Sequence, residues 1–546
     1  MNLRGARYLT GWVRDSNGHP WWQSGVVYQV YPRSYMDASG DGVGDLPGIT
    51  SRLGYLRWLG VDAVWISPFY PSPMADFGYD ISDHKGVHPL FGIMEDFDDL
   101  VAEAHGLGLK VILDYVPNHT SDEHPWFLES RSSRENLRRD WYIWRDPDPG
   151  GGPPNNWQSF FGGGSAWEWD EATDQYYLHL FDPKQPDLNW RNPEVREAMY
   201  DVLRFWFDRG VDGFRIDVLW LPIKDELFRD DPPNPEWREG DPPWRRLRRT
   251  YSGDRPENLD IVRKMRAVAD SYEGDRVLIG ELYLPLERVI AYYGAPEFDG
   301  VHLPFNFALA ELREWEPHAL GKVISAYETV LPEGAWPNWV LGNHDKLRIL
   351  GRVGEDRARL AQMLLLTLRG TPTCYYGDEI GMRDVEIPPD LVVDPQGKRS
   401  PGYGRDPART PMQWDATPNA GFCPPDVEPW LPIPDDHGEV NAEAQRGDPT
   451  SMLSLFRRLV RLRREHPALT LGSYEEYETG ASPVVAYLRE HGGHRILVAL
   501  NFGDADERVE IPAGTKLLSS TDPERDALDG SKILELRSRE GVVLAL

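Results

Sequence analysis

Residues 97–119 read FDDLVAEAHGLGLKVILDYVPNH. The first half, Phe97–Leu107, places apolar residues at helical spacing and runs into Gly108, the residue type that most readily ends a helix in a left-handed turn. The second half, Lys110–His119, is a nearly unbroken apolar run that ends on Asp114, Asn118 and His119. A helix, a glycine and a strand with no polar face form one unit of a parallel sheet whose strands are covered on both sides.

The same kind of run recurs on either side. Val26–Pro32, Ala63–Pro68, Gly213–Val218, Val277–Leu282, Val301–Phe307, Trp339–Asp345 and Thr373–Glu379 bring the total to eight. Helical patterns at Gly48–Leu59, Glu194–Arg209 and Asp260–Tyr272 alternate with them. Eight such units predict an α/β fold, a (β/α)8 TIM barrel; a doubly wound sheet is the alternative that the count disfavours. The barrel takes residues 1–119 and 191–466. The long gap after the third strand, rich in Gly, Pro, Asn and Trp, reads as an inserted lobe over 120–190. An irregular excursion over 383–445 follows the eighth strand and precedes a helix at Ser451–Glu465. Short alternating runs (Val484–Leu488, Arg495–Asn501, Lys532–Leu536, Val542–Leu546) predict a C-terminal antiparallel β-domain over 467–546.

Composition narrows the partners. The 546 residues carry 59 Lys and Arg against 88 Asp and Glu, a net charge of −29. That balance argues against nucleic acid and against an anionic membrane surface, both of which attract clustered positive charge. No run resembles a signal peptide or a membrane span, so the expected location is cytoplasmic. Two cysteines, Cys374 and Cys423, exclude a disulfide framework and a cysteine zinc site, and two reduced thiols are expected. The 21 Trp and 24 Tyr, many in loop-like stretches such as 155–170, suit a sugar cleft, because the C–H face of a sugar packs on an aromatic ring.

In a barrel of this class the chemistry sits at the C-terminal strand ends. Those ends here carry Asp114 and His119, Arg215 and Asp217, Glu281, and His344 and Asp345. Gathering like charges is costly unless a function needs them. Glycosidic cleavage does: one carboxylate serves as nucleophile and a second carboxyl as general acid. Arg215 and Asp217 are two apart and so share a strand face, where the guanidinium is expected to lower the Asp217 pKa. Glu281, in an apolar setting, is the candidate for a raised pKa and for the acid.

The segments DYVPNH (Asp114–His119), GFRIDV (Gly213–Val218), IGEL around Glu281, GNHD (Gly342–Asp345), Gly78-Tyr79-Asp80, Gln185–Asn189 and RDPARTPMQW (Arg405–Trp414) together resemble glycoside hydrolase family 13, the α-amylase family. The resemblance is to its exo-acting α-glucosidase and oligo-1,6-glucosidase branch and runs over about Trp21–Leu469. It implies that Asp217 is the nucleophile, Glu281 the acid/base and Asp345 the carboxylate that grips ring hydroxyls. It implies sugar binding by Tyr79, His119, His344 and Arg215, aromatic contacts from Phe161 and Phe181, and a pocket closed by Asp80 with Arg405 or Arg409. The implied activity is a retaining exo-α-glucosidase releasing glucose from short α-1,4- or α-1,6-linked glucosides, with no organic cofactor. The alternative is a transferase or isomerase on the same site, of the trehalose synthase or sucrose-active kind.

Asp37, Ser39, Asp41, Val43 and Asp45 alternate with glycines and are a candidate structural Ca²⁺ or Mg²⁺ loop; a turn of self-capping aspartates is the competing reading. Many oligo-1,6-glucosidases have Asn where Phe77 stands, which points to broader or α-1,4 specificity, whereas Val218 points to α-1,6. Leu219–Asp241 is expected to form a loop and helix on the leaving-group side. The expected partner is a small oligosaccharide or glucoside, and the pattern specifies no oligomer.

Overall fold

The computed structural model describes residues 18–521 and 532–546. Residues 1–17 of the expected barrel and 522–531 of the expected β-domain lie outside them. In chain order the first strands are β1 (Val27–Val30), β2 (Ala63–Ile66) and β3 (Lys110–Tyr115). The lobe then supplies β4 (Trp144–Arg145), β5 (Trp167–Asp170) and β6 (Gln175–Leu178). The chain returns with β7 (Gly213–Ile216), β8 (Val277–Gly280), β9 (Leu303–Pro304), β10 (Asn338–Val340) and β11 (Thr371–Tyr375). Eight of these form one parallel sheet in the order β10-β11-β1-β2-β3-β7-β8-β9. A parallel bridge between Asn306 and Trp339 brings its two ends together. Each of the eight predicted runs meets one barrel strand; six contain theirs, while β10 and β11 begin one and two residues before the predicted runs.

The strands bury both faces, and their period of two decides what the barrel holds. Ala63 and Trp65 of β2, Ile112 of β3, and Val277 and Ile279 of β8 pack together inside the barrel. The intervening Val64, Ile66, Val111, Leu113, Phe214, Ile216 and Leu278 pack outward under the helices. Counting on along the inward register reaches Asp114, Arg215, Asp217 and Glu281 in turn. The covering helices include α1 (Leu46–Leu59), α2 (Met94–Gly106), α3 (Pro193–Asp208), α4 (Asn258–Asp270), α5 (Pro317–Val330), α6 (Glu355–Thr367) and α7 (Met452–Glu465). Asp45 caps α1 by accepting from the Gly48 N–H, and Gly60 ends it at φ 97°, a left-handed conformation that glycine adopts without strain.

The lobe forms a three-stranded antiparallel sheet in the order β4-β6-β5. Beyond α7 come β12 (Ser473–Glu476), β13 (Val484–His491), β14 (His494–Asn501), β15 (Glu507–Glu510), β16 (Thr515–Ser519), β17 (Ile533–Leu536) and β18 (Gly541–Ala545). They make a five-stranded sheet, β12-β13-β14-β18-β16, and a β15–β17 pair. The helix expected within Leu219–Asp241 does not form; the segment is turns and extended chain. Pro232, Pro233 and Pro235 remove amide donors and push the residues before them out of the helical region. Cys374 and Cys423 are free thiols, both buried. No helix among the described residues is long and apolar enough to cross a membrane.

Candidate active site

A cavity of about 1340 Å³ opens at the C-terminal ends of the strands. Asp217, Glu281, Asp345, Tyr79, His119, Phe161, Phe181, His344 and Arg405 all line it, so nine residues from eight stretches of sequence meet in one place. Arg215 and Arg409 lie behind this wall, both buried.

Arg215 organises the base of the cavity. It pairs with Asp114 at 2.5 Å, Asp217 at 2.8 Å and Glu281 at 2.7 Å. Asp114 also accepts from the Trp65 indole N–H at 2.8 Å and the Tyr79 hydroxyl at 3.3 Å. Glu281 accepts the Val218 N–H at 2.7 Å. Val218 reaches that position at φ 35°, an unusual conformation for a β-branched residue and typical of a functional site. The expectation that Arg215 lowers the Asp217 pKa is not met. Burial pushes the Asp217 carboxyl well up, with Arg215 opposing it and Glu281 and Asp114 adding to the rise. One guanidinium divided among three carboxylates cannot offset the desolvation of each. Burial also raises Glu281, again against Arg215, as expected.

Asp345 behaves in the opposite way. Burial works against its ionisation, but the His344 ring, Arg405 and Arg409 override it and hold the carboxyl well below the usual range. Arg405 lies 3.2 Å and Arg409 3.1 Å from its Oδ1. His344 is stacked on Tyr79 with ring centroids 5.3 Å apart and shares a 2.7 Å hydrogen bond with the Tyr79 hydroxyl. His119 lies 5.2 Å from the Phe181 ring. Burial takes the His119 pKa down to about 4, so its imidazole is neutral near pH 7.

The carboxylate paired with an arginine at the closed side is Asp76, not Asp80. Arg405 Nη2 lies 2.6 Å from Asp76 Oδ1 and 2.6 Å from Asp394 Oδ1. Asp80 is fully buried and accepts from the Ser72 hydroxyl and from the Ala75 and Asp76 N–H groups, which holds the turn that presents Asp76. Both aspartates flank the Gly78-Tyr79 motif, so sequence offers both and only the direction of the side chains chooses. Phe77 packs on Trp430 beneath the Arg33 guanidinium and is not part of the cavity wall, whereas Val218 is.

Further residues of the site carried no sequence signal. Asp394, in the irregular excursion, gives Arg405 a second anion. Tyr283, stacked on Phe307 at 4.3 Å, and Arg249, whose guanidinium lies 3.5 Å from the Phe160 ring centroid, line the same cavity. The aspartates of the candidate ion loop accept hydrogen bonds from their own turn. Asp37 accepts from the Ser39 hydroxyl and the Gly40 and Gly42 N–H groups, Asp41 from the Val43 N–H, and Asp45 from the Ala38, Ser39 and Gly48 N–H groups. Among the described residues no three acidic, histidine or cysteine side chains converge as ion ligands.

The sequence and the fold have known relatives. Residues 29–472 match the family model for the alpha amylase catalytic domain. A probable alpha-glucosidase of Rhizobium meliloti is 43% identical over 90% of this chain and 91% of its own length. An oligo-1,6-glucosidase of Parageobacillus thermoglucosidasius is 38% identical over 96% of this chain and 98% of its own. The crystal structure of an alpha-glucosyl transfer enzyme superposes with a TM-score of 0.90 at 41% identity, covering 96% of this chain and 99% of the other.

Proposed function

The chain belongs to the α-amylase family, glycoside hydrolase family 13, and from that premise we propose that it is a retaining exo-α-glucosidase releasing glucose from the non-reducing end of short α-glucosides. The observation that carries the exo reading is the Arg405 bridge between Asp76 and Asp345, which closes the pocket behind the carboxylates. A pocket closed there admits a chain end and not a chain interior.

In the first step the Asp217 carboxylate attacks the anomeric carbon while Glu281 gives its proton to the glycosidic oxygen. The bond to the leaving group breaks, the leaving sugar departs as an alcohol, and glucose is held as an ester of Asp217. Glu281, now a carboxylate, then takes a proton from water, whose oxygen displaces Asp217 and restores the α configuration. The Val218 N–H and Arg215 keep Glu281 aimed through both steps, and Asp345, held ionised, takes hydroxyls of the flattened ring. Val218 in the wall and relatives of both kinds support activity on α-1,4 and α-1,6 linkages.

Likeness to an alpha-glucosyl transfer enzyme favours a second reading, in which a sugar hydroxyl replaces water in the second step. Time-resolved proton NMR on maltose, isomaltose, trehalose and sucrose decides between them. Early α-glucose supports retention, β-glucose appearing first overturns it, and new disaccharides reveal transfer. Full activity in an Asp217→Asn variant would end the nucleophile assignment.

A further inference from the structure

With 59 Lys and Arg against 88 Asp and Glu, composition gives no reason for positive charge to collect in one place. It does so on the flank of the barrel. A second cavity, of about 510 Å³, is bordered by Arg57, Arg446, Arg457, Arg458, Arg461 and Arg464 around Trp58. It lies between the last turn of α1 and one face of α7 and shares no wall with the cavity at the strand ends.

Arg457, Arg461 and Arg464 are spaced four and three apart, so α7 presents them side by side, where like charges disfavour the helix. Two have carboxylate partners: Arg461 pairs with Glu465 at 2.7 Å and Arg464 with Asp62 at 2.5 Å. The remaining guanidiniums are held without neutralisation. Those of Arg446 and Arg457 lie 4.4 and 4.5 Å from the Trp58 ring centroid, and Arg457 donates to the Trp58 carbonyl at 3.0 Å. Trp58 is itself stacked on Tyr55, 5.9 Å away, so the ring sets both cations in place. Arg458 donates through Nε to the Ser454 carbonyl, and its buried Nη2 has no hydrogen-bond partner. Among the described residues no carboxylate forms an ion pair with Arg57, Arg446, Arg457 or Arg458.

We propose that this cavity binds an oligophosphate anion through its phosphate oxygens. Planar guanidinium forks match phosphate oxygens in pairs, and several converging forks suit two or three linked phosphates better than one. The volume is that of a small-ligand site. Trp58 already carries two guanidiniums, so it offers no ring platform for a base, and recognition rests on the phosphate chain.

Isothermal titration of the full-length protein with sodium tripolyphosphate tests this, at low salt and again at high salt. Saturable binding of one tripolyphosphate per chain is expected, weakened at high salt and about tenfold weaker for orthophosphate. ATP should match tripolyphosphate within a few-fold if the phosphates alone are read. The Arg446→Gln/Arg457→Gln double variant changes two exposed side chains and should lose about tenfold or more in affinity. Unchanged turnover of maltose by that variant will show that it is folded. The proposal is overturned if tripolyphosphate shows no saturable binding or if the double variant binds it as before. It is equally overturned if ATP or a polyaspartate peptide is taken up while tripolyphosphate is not.

Discussion

Arg215 is a single positive charge facing Asp114, Asp217 and Glu281, and the chemistry of the pocket follows from that division. Burial raises both Asp217 and Glu281, so the two titrate as a pair, and one proton is retained to higher pH than a free carboxyl would hold it. The pH profile of kcat/KM should therefore be a bell whose falling limb lies above the ordinary glutamate value of about 4.3, and Glu281→Gln should abolish that limb. The same variant should lose about 10²- to 10⁴-fold in kcat on maltose. It should lose far less on α-glucosyl fluoride, whose leaving group needs no proton; equal losses on both would remove Glu281 from the acid role. Asp76 gives a second test. Burial lifts its pKa to about 6 against the pull of Arg405. As pH falls through that value the pair with Arg405 is lost and KM should rise. For stability the sign is reversed: a raised carboxyl contributes most below its unfolded value, and the contribution fades as pH climbs through about 6. Asp76→Asn at pH 7 should raise KM about 10- to 100-fold, the worth of a charged hydrogen bond, and the penalty should shrink at pH 5.

Strand β7 shows how an element carries the site. Gly213 faces inward, and a Cβ there would stand 2.5 Å from the Val277 carbonyl oxygen and 2.3 Å from its Cγ1. The carbonyl belongs to the neighbouring strand and cannot swing aside. Gly213→Ala should cost about 1–3 kcal/mol in a urea melt, as overpacking does, and should lower kcat because β7 delivers Arg215 and Asp217. The barrel strands were legible because strands buried on both faces are unbroken apolar runs. Strands β12, β15 and β16 were not, since Ser473–Glu476, Glu507–Glu510 and Thr515–Ser519 are largely polar and pair along partly exposed parts of their sheets. Leu219–Asp241 misled in the other direction: its apolar and charged residues suggest a helix, and its prolines prevent one.

Across the whole molecule, the barrel and the C-terminal sheet are joined by buried arginines that serve the carbonyls ending α6. Arg489 of β13 donates to Thr367 O at 2.5 Å, Gly472 O at 2.9 Å and Ser473 O at 2.9 Å. Arg463 of α7 donates to the carbonyls of Leu366, Leu368 and Leu469. Calorimetry should therefore show one cooperative transition. Arg489→Leu, which strands these carbonyls, should lower stability by about 3 kcal/mol and separate a C-terminal transition from the main one; two transitions in the unaltered protein would contradict this coupling. The sequence alone determined the eight-unit barrel and the gathering of Asp114, Asp217, Glu281 and Asp345 at one end of it. Both follow from local pattern, because periodicity reports burial and strand ends share a face; singling out three of these four carboxylates for catalysis rests on the resemblance to the family. Only the tertiary structure decided that Asp76 and not Asp80 meets Arg405, that Arg215 is shared three ways, and that the Asp37–Asp45 carboxylates turn back on their own backbone. It alone brought six arginines around Trp58. These are matters of which side chain points where across gaps of tens to hundreds of residues, and no local pattern encodes that direction.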